Sequence, residues 1–492
     1  MDHRDLLDDY INDECGVLAM YIPGEQVANT AFFGLFALQH RGQESAGIAV
    51  SNGETVHMEK GAGLVNTVFN QDLLNTMHGS MAIGHTRYST TGGQTYANVQ
   101  PVACTTTYGD IAIAHNGNLI NTTQLKQELM AMGEVFYGDS DSEVLARIFA
   151  LNLYRGPEEA AREVMRRCKG AFSVTVLTPS QIIGFRDPNG IRPLVAGKIG
   201  ENGYMIASET CAFGPVGATP EIHIKPGQIV IIDKNGMRLA DGIESPGESM
   251  CLFEMIYFAR PDSEMFGTGL YGARLRMGER LAIEHPVEAD IVVPVPDSGT
   301  PAALGFSKAS GIPFREGMMK SRYIHRTFIQ PDQRMRELGV RMKLTPLTDH
   351  LKGKRIVLVD DSIVRGTTTK QLVKMMFESG ATEVHVRITA PPIMHPCFYG
   401  IDMASKKELI AAVKTLDELQ EHIGATSLGY LSVEGAQLAV HNQTKGFCTA
   451  CFTGNYPIPI PESLLTSEGK QPSKLGEMAT VLRGQGVLLS ED

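Results

Sequence analysis

The sequence predicts a mixed chain, α+β in its first half and α/β with a parallel sheet in its second, on three observations. The first is length: 492 residues, at roughly 100–200 per domain, suggest two to four domains that each bury a core. The second is the pattern after about residue 250, where apolar strand candidates alternate with helix-like segments. That alternation is the mark of a parallel sheet with crossover helices. The third is a set of strand-like segments before residue 240, namely CGVLAMYI (15–22), AFSVTVLT (171–178) and GQIVIID (227–233). Periodicity alone does not arrange these three into a particular fold.

Composition narrows the class. Hydrophobic residues make up 43% and charged residues 20%, which excludes wholesale disorder. No stretch reaches the ~18 uninterrupted apolar residues of a membrane span. A net charge of −11 argues against general nucleic-acid binding, which needs a basic surface. Eight cysteines are too few for a disulfide scaffold in a chain this long. The opening segment, MDHRDLLDDYINDE, carries six acids and one arginine, unlike a secretory or mitochondrial leader. The expected compartment is the cytoplasm.

That segment ends directly before Cys15, and it has two readings. One is a frayed acidic tail. The other is a propeptide, residues 1–14, whose removal makes Cys15 the first residue. An N-terminal cysteine holds a nucleophilic thiol together with an α-amine whose reference pKa of about 8 suits it to accept the thiol proton.

Four further segments bear on the choice: QHRGQESAG (39–47), GHTRYST (84–90), AHNGN (114–118) and GDSDSE (138–143). A thiol attacking an amide needs donors for the developing oxyanion and groups that orient the substrate. Asn116 offers a side-chain NH₂ and Gly117 an unobstructed N–H. Arg87 can clamp a carboxylate, and Asp141 can hold an ammonium. Singly, each has an ordinary alternative: Asn-Gly is a common turn, Arg87 could be a surface charge, and Asp141 could cap a helix starting near Ser142.

Together and in this order, these segments resemble the glutaminase domain of the N-terminal-nucleophile amidotransferases, over roughly residues 15–240. The resemblance implies a four-layer αββα sandwich. It also implies Cys15 as nucleophile, Asn116 and Gly117 as oxyanion hole, and Arg87 and Asp141 as glutamine-binding residues. Cleavage after Glu14 would then be required for activity.

The second half, residues 250–460, has strand candidates DIVVPVP (290–296), KRIVLVDD (354–361) and EVHVRITA (383–390). Between them lie helix candidates PAALGFSKASG (301–311) and TKQLVKMMFESG (369–380), the latter closed by Gly380. The most informative stretch is VLVDDSIVRGTTT (357–369). Two adjacent acids at a buried strand end repel one another and lose solvation, so they call for a partner. A ribose diol and Mg²⁺ would supply it. Ser362, Arg365, Gly366, Thr367 and Thr368 lead into a helix N-terminus, a ready monophosphate site. The plainer alternative is a strand end followed by a capped helix.

A second loop, VPVPDSGTPAALG (293–305), presents Asp297, Ser298, Gly299 and Thr300, whose backbone amides could meet a pyrophosphate. From Arg315 to Lys343, eight basic residues face Glu316, Asp332 and Glu337. Such a run is commonly a solvated surface, but a basic loop closing over a dense anion would also exclude water. The stretch 357–369 matches the phosphoribosylpyrophosphate signature of type I phosphoribosyltransferases. That resemblance implies Mg²⁺, one per subunit, on Ser298, Asp360 and Asp361, and a flexible substrate-covering loop with Arg326, Arg341 and Lys343 as contributors.

A glutaminase followed by a phosphoribosyltransferase on one chain resembles the amidophosphoribosyltransferase family, from Cys15 to about Tyr456. The implied reaction turns glutamine, phosphoribosylpyrophosphate and water into 5-phosphoribosylamine, pyrophosphate and glutamate, the committed step of purine synthesis. Homotetramers and feedback by purine nucleotides are implied as well. Two alternatives are another glutamine-dependent synthase, which the stretch 357–369 opposes, and a phosphoribosylpyrophosphate-sensing regulator, which would need no glutaminase.

Cys251, Cys397, Cys448 and Cys451 remain, a single C-x-x-C plus two distant cysteines. By spacing these could be unpaired core thiols or a zinc site. One subclass of the family has both a propeptide and a four-cysteine 4Fe–4S cluster, and resemblance to it implies one such cluster, structural in role, on these four residues. Cys104, Cys168 and Cys211 are expected in the core. The tail, 461–492, matches no chemistry.

Overall fold

The computed structural model describes residues 15–88, 95–321, 343–403, 406–441 and 446–466. The candidate propeptide 1–14, and Arg326 and Arg341, lie outside the described residues. So does the tail from residue 467; the short helix Glu462–Thr466 precedes it, and Leu464 packs on the core of the second half.

The first half is built on two antiparallel sheets. One runs in the order Ala218–His223, Val195–Ile199, Gly203–Ala207, Gly16–Tyr21, Met81–Arg87, Ser45–Ser51, Val56–Ala62. The other runs Gly236–Asp241, Gln228–Asp233, Ile182–Arg186, Gly170–Leu177, Gly109–Leu119, Val102–Thr106. Strand alternation assigns the faces. Val17 and Ala19 turn inward with Ile83, and they meet Ala112, Ala114, Leu177 and Val230 of the opposite sheet. Leu18 and Met20 point outward and pack under helix Ala28–Ala37. On the far side Ile111, Ile113, Val174 and Val176 are covered by helices Thr122–Ala131, Asp141–Asn152 and Pro157–Arg167. The result is the four-layer αββα sandwich that the family resemblance implies. Its central strands are buried on both faces, Gly170–Leu177 along its whole length, which is why their sequences lack a clean polar alternation.

The second half carries a parallel sheet in the order Ile291–Pro294, Arg355–Asp360, Glu383–Ile388, Ser427–Tyr430. The first three coincide with the strand candidates read from the sequence. The helix candidates appear as Thr300–Ser310 and Thr367–Glu378. Helix Leu270–Glu284 crosses Thr300–Ser310 at close range: a Cβ on Gly278 would lie 1.8 Å from the Ala302 carbonyl oxygen, and one on Gly305 would lie 1.9 Å from that of Leu275. Met250–Cys251 pairs in parallel with Phe447–Cys448, bringing residues near the chain's end back to the start of this half. Its core also takes in Ile120, Ala171 and Ile191 from the sandwich, so the two halves share packed surface.

Candidate functional site

Cys15 sits at the start of the central strand Gly16–Tyr21, opposite the end of Met81–Arg87. It is 6% exposed. Its thiol donates to the Tyr88 carbonyl at 3.6 Å, and its own carbonyl accepts from Arg41 Nε at 3.0 Å. Burial pushes the thiol up to about 11, against the opposing pull of the Tyr88 contact, Arg87 and Arg41, while Asp141 adds to the rise. Arg87 and Asp141 are therefore close enough to act on the sulfur electrostatically, so the residues picked from separate motifs converge.

Asn116 and Gly117 lie on Gly109–Leu119, the strand that carries the oxyanion candidates in the facing sheet. The Asn116 side chain is 1% exposed, yet neither its Nδ2 nor its Oδ1 has a hydrogen-bond partner. A buried, unpaired amide is costly, and it is what a waiting donor looks like. Gly117 has φ +139, and a Cβ there would lie 2.0 Å from the Ala171 carbonyl oxygen, so only glycine fits. Asp141 differs from the capping alternative. Ser140 is the N-cap, through Ser142 N, and Asp141 is the first helical residue. Its Oδ2 accepts from Leu119 N at 3.0 Å, and its Oδ1 lies 3.4 Å from the Ser142 hydroxyl and 3.7 Å from His115 Nδ1.

Beneath Cys15 lies an ion-pair network that sequence reading did not single out. Arg41 binds Glu209 at 2.5 Å and Glu254 at 2.7 Å, and Arg192 binds Glu254 at 3.3 Å, all fully buried. Burial by itself would raise Glu209, but His40 and Arg41 hold it well below the usual carboxylate range. His40, Glu209 and Cys211 bring ligand-type atoms within 4.8 Å of one another. That grouping does not suit a metal, because the Glu209 carboxylate is already spent on Arg41, His40, Ser263 Oγ and Arg260 N. The only sequence signal was Arg41 itself, within QHRGQ.

In the second half Asp360 and Asp361 end a strand at the carboxyl edge of the parallel sheet, where ligands of such sheets gather. Both are buried. Burial, then the neighbouring Asp361 charge, raises Asp360 well above the usual range. Asp361 is raised by burial, against Ser298, Ser362 and Arg274. Ser362 Oγ donates to Asp361 Oδ1 at 2.5 Å, while Asp361 Oδ2 has no partner. Two crowded acids with an orphaned oxygen, flanked by the Ser298 hydroxyl, form a fitting set of hard ligands for Mg²⁺.

The loop Asp297, Ser298, Gly299 leads straight into the helix beginning at Thr300. It packs tightly on the acid-bearing strand: a Cβ on Gly299 would stand 2.5 Å from the Val359 carbonyl oxygen. Asp297 pairs with Lys320 at 2.7 Å, on the exposed side of the loop. Arg365 pairs with Glu408 at 3.3 Å, and Gly366, at φ +79, turns the chain into the helix whose first residues are Thr367 and Thr368. Lys320 pairs with Leu344 in a short antiparallel ladder, and the Ser321 N–H donates to the Lys343 carbonyl at 2.8 Å.

The four remaining cysteines meet in one small cavity, lined also by Ile191, Arg192, Tyr399 and Tyr456. All four are free thiols. Cys251 and Cys448 face each other across the short parallel pair. Burial pushes Cys448 up to about 12 and moves Cys251 and Cys451 upward too. Cys104, Cys168 and Cys211 are buried in the sandwich.

A profile described as a glutamine amidotransferase domain matches residues 71–231. The chain is 52% identical to an amidophosphoribosyltransferase of Synechococcus elongatus, covering 93% of this chain and 94% of that one. It is 45% identical to the Bacillus subtilis amidophosphoribosyltransferase, with 94% and 98% covered. A solved structure of the B. subtilis glutamine phosphoribosylpyrophosphate amidotransferase, complexed with ADP and GMP, superposes with a TM-score of 0.85 at 45% identity, covering 91% of this chain and 98% of that one. Identity at this level along nearly the whole length, joined to two convergent sites in the same order, places the chain in the amidophosphoribosyltransferase family.

Proposed function

We propose that the chain makes 5-phosphoribosylamine, pyrophosphate and glutamate from glutamine, phosphoribosylpyrophosphate and water, the committed step of purine nucleotide synthesis, with Cys15 and the Asp360–Asp361 pair at its two reacting centres. The observation that carries this reading is the pairing of two features in one chain: a buried thiol within electrostatic reach of Arg87 and Asp141, with an unpartnered asparagine amide on the opposite sheet, and two crowded carboxylates at the carboxyl end of a parallel strand.

In the first site, removal of residues 1–14 frees the Cys15 α-amine, which takes the thiol proton. The thiolate attacks the glutamine side-chain carbonyl, and the negative oxygen is received by Asn116 Nδ2 and the Gly117 N–H. Collapse breaks the C–N bond, the α-ammonium returns its proton, ammonia leaves, and water then hydrolyses the glutamyl thioester. Arg87 orients the substrate carboxylate and Asp141 its ammonium, through the oxygen that the Leu119 N–H leaves available.

In the second site, Thr367, Thr368 and the helix N-terminus hold the 5-phosphate. The Asp297–Thr300 loop meets the pyrophosphate, and Lys343, with Arg326 and Arg341, covers it. Mg²⁺ on Asp360, Asp361 and Ser298 would neutralise the leaving pyrophosphate. Ammonia arriving within the protein stays unprotonated and displaces that pyrophosphate at C1.

Cys251, Cys397, Cys448 and Cys451, which line one cavity, would hold a 4Fe–4S cluster. Among the described residues, the grouping whose ligand atoms lie within 4.8 Å of one another is the His40 one and not the cysteines, whereas a tetrahedral zinc at ~2.3 Å from each sulfur would bring them to about 3.8 Å apart. Because the reaction transfers no electrons, the group's contribution is structural. The Cys448→Ser variant is expected to lose the broad visible absorbance and the bound iron of anaerobically purified protein. Colourless wild-type protein carrying zinc would refute the cluster. The same reading extends to a propeptide-bearing homotetramer inhibited by purine nucleotides. No helix among the described residues is long and apolar enough to cross a membrane.

The processing step is open to a direct test. With its thiol at about 11, Cys15 in a chain that retains residues 1–14 should react slowly with iodoacetamide near neutral pH. Its rate should climb about tenfold per pH unit, as thiolate fraction does. Mass spectrometry of protein that turns over glutamine should find Cys15 as the first residue, and an intact Met1 in such protein would sink the mechanism.

A further inference from the structure

The four-cysteine cavity is physically tied to the oxyanion site by a short segment. Tyr399 N donates to the Cys397 sulfur at 3.3 Å, so the chain leaves the cysteine directly into Phe398, Tyr399 and Gly400. Each of the next three residues is fixed to the sandwich. Asn118 Nδ2 donates to the Phe398 carbonyl at 2.9 Å. Arg192 donates to the Tyr399 carbonyl from Nε at 3.1 Å and from Nη2 at 2.7 Å. Gly400, at φ +116, lies so close to Gly117 that a Cβ on it would stand 3.0 Å from the Gly117 carbonyl carbon. On the side away from the sandwich, the Tyr399 hydroxyl bridges Ile458, donating to its carbonyl at 2.5 Å and accepting from its N–H at 3.0 Å.

Asn118 is two residues beyond Asn116 on the same strand, so the two side chains share a face. The segment therefore bears on the strand from the face that presents the Asn116 amide, and on the backbone of Gly117 itself.

We propose that Phe398–Gly400 is a strap that holds the oxyanion hole in register, making Gly400 and Asn118 positioning residues for the thiol half-reaction. The proposal rests on reading Asn116 and Gly117 as the oxyanion hole. Arg192 completes the arrangement, because the guanidinium that grips Tyr399 also binds Glu254, which binds Arg41, which holds the Cys15 carbonyl. The nucleophile and the oxyanion donors are thereby referenced to one buried frame that also lines the cysteine cavity. Preorganised donors lose their effect when displaced by about 1 Å, at a cost near 100-fold.

The test compares Asn118→Ala, Gly400→Ala and Asn116→Ala in iron-loaded protein whose first residue is Cys15. It measures glutamine hydrolysis, pyrophosphate release driven by added ammonium salt, and iron per chain. Asn118→Ala and Gly400→Ala are expected to lower kcat for glutamine by at least about 10-fold with KM within about twofold, since Arg87 and Asp141 still bind the substrate. Ammonia-driven pyrophosphate release and iron content should remain at wild-type levels. A wild-type kcat in both strap variants, with Asn116→Ala inactive, overturns the strap alone. Asn116→Ala with wild-type kcat overturns the oxyanion reading and the strap with it. Parallel loss of both activities and iron in both strap variants also overturns the proposal, because it reduces the segment to general packing.

Discussion

Replacing Cys15 with alanine is expected to lower glutamine-dependent phosphoribosylamine formation by about 10⁴-fold or more while ammonia-dependent formation persists. The asymmetry follows from where the residue sits. Cys15 directly precedes Gly16–Tyr21, a strand packed against the opposite sheet, and its contacts are with Tyr88 and Arg41. Its side chain is small, so Ala leaves the packing of Gly16–Tyr21 intact and removes only the sulfur. Added ammonium salt at pH near 9 supplies unprotonated ammonia to the second site without any amide cleavage. Measuring pyrophosphate with each nitrogen source separates the two halves of the enzyme in one preparation. Equal loss with both sources would place Cys15 in the fold rather than in the chemistry.

Asp361→Asn is expected to do the converse. Pyrophosphate release should fall by at least about 10³-fold with either nitrogen source, while glutamine hydrolysis survives. The same substitution should raise thermal stability when no Mg²⁺ is present. The sign follows from the acid pair: burial raises both carboxyl groups in the folded chain, and the Asp361 charge raises Asp360 further. A carboxyl whose folded value lies above its unfolded value destabilises the fold increasingly as pH rises past the unfolded value. Asn removes the buried Asp361 charge that also raises Asp360, so the melting temperature of the metal-free variant should exceed that of wild type near neutrality. The difference should shrink as pH falls towards 4, and added Mg²⁺ should stabilise wild type more than the variant. A destabilised metal-free variant would contradict this account of the pair.

Much of this was legible in the sequence because the informative residues are local. The Asp360–Asp361 pair, the turn through Gly366 and the following helix fall within one short stretch, and the strand reading predicts the placement of the pair at the carboxyl end of a parallel strand. Asn116 and Gly117 are adjacent, and their motif is recognisable without the fold. What escaped was assembled across long separations. Arg41 and Glu254 are 213 positions apart, and no local pattern signals that two buried charges will pair. The Gly400 approach to Gly117 was hidden for the same reason, since a lone glycine in a loop reads as a turn. The fourth parallel strand, Ser427–Tyr430, is only four residues long, too short for periodicity to register. In the sequence Asp141 fits either a cap or an ammonium ligand; the structure gives the cap to Ser140 and ties Asp141 to Leu119 through one carboxylate oxygen.

In the proposed function, one chain couples amide cleavage at Cys15 to pyrophosphate displacement beside Asp360 and Asp361. This coupling is tested most directly by measuring glutamate and pyrophosphate together, in protein whose first residue is Cys15, with glutamine, phosphoribosylpyrophosphate and Mg²⁺ present. Equal amounts of the two products, with pyrophosphate release dependent on glutamine, are predicted. Glutamate formation with no accompanying pyrophosphate would contradict it.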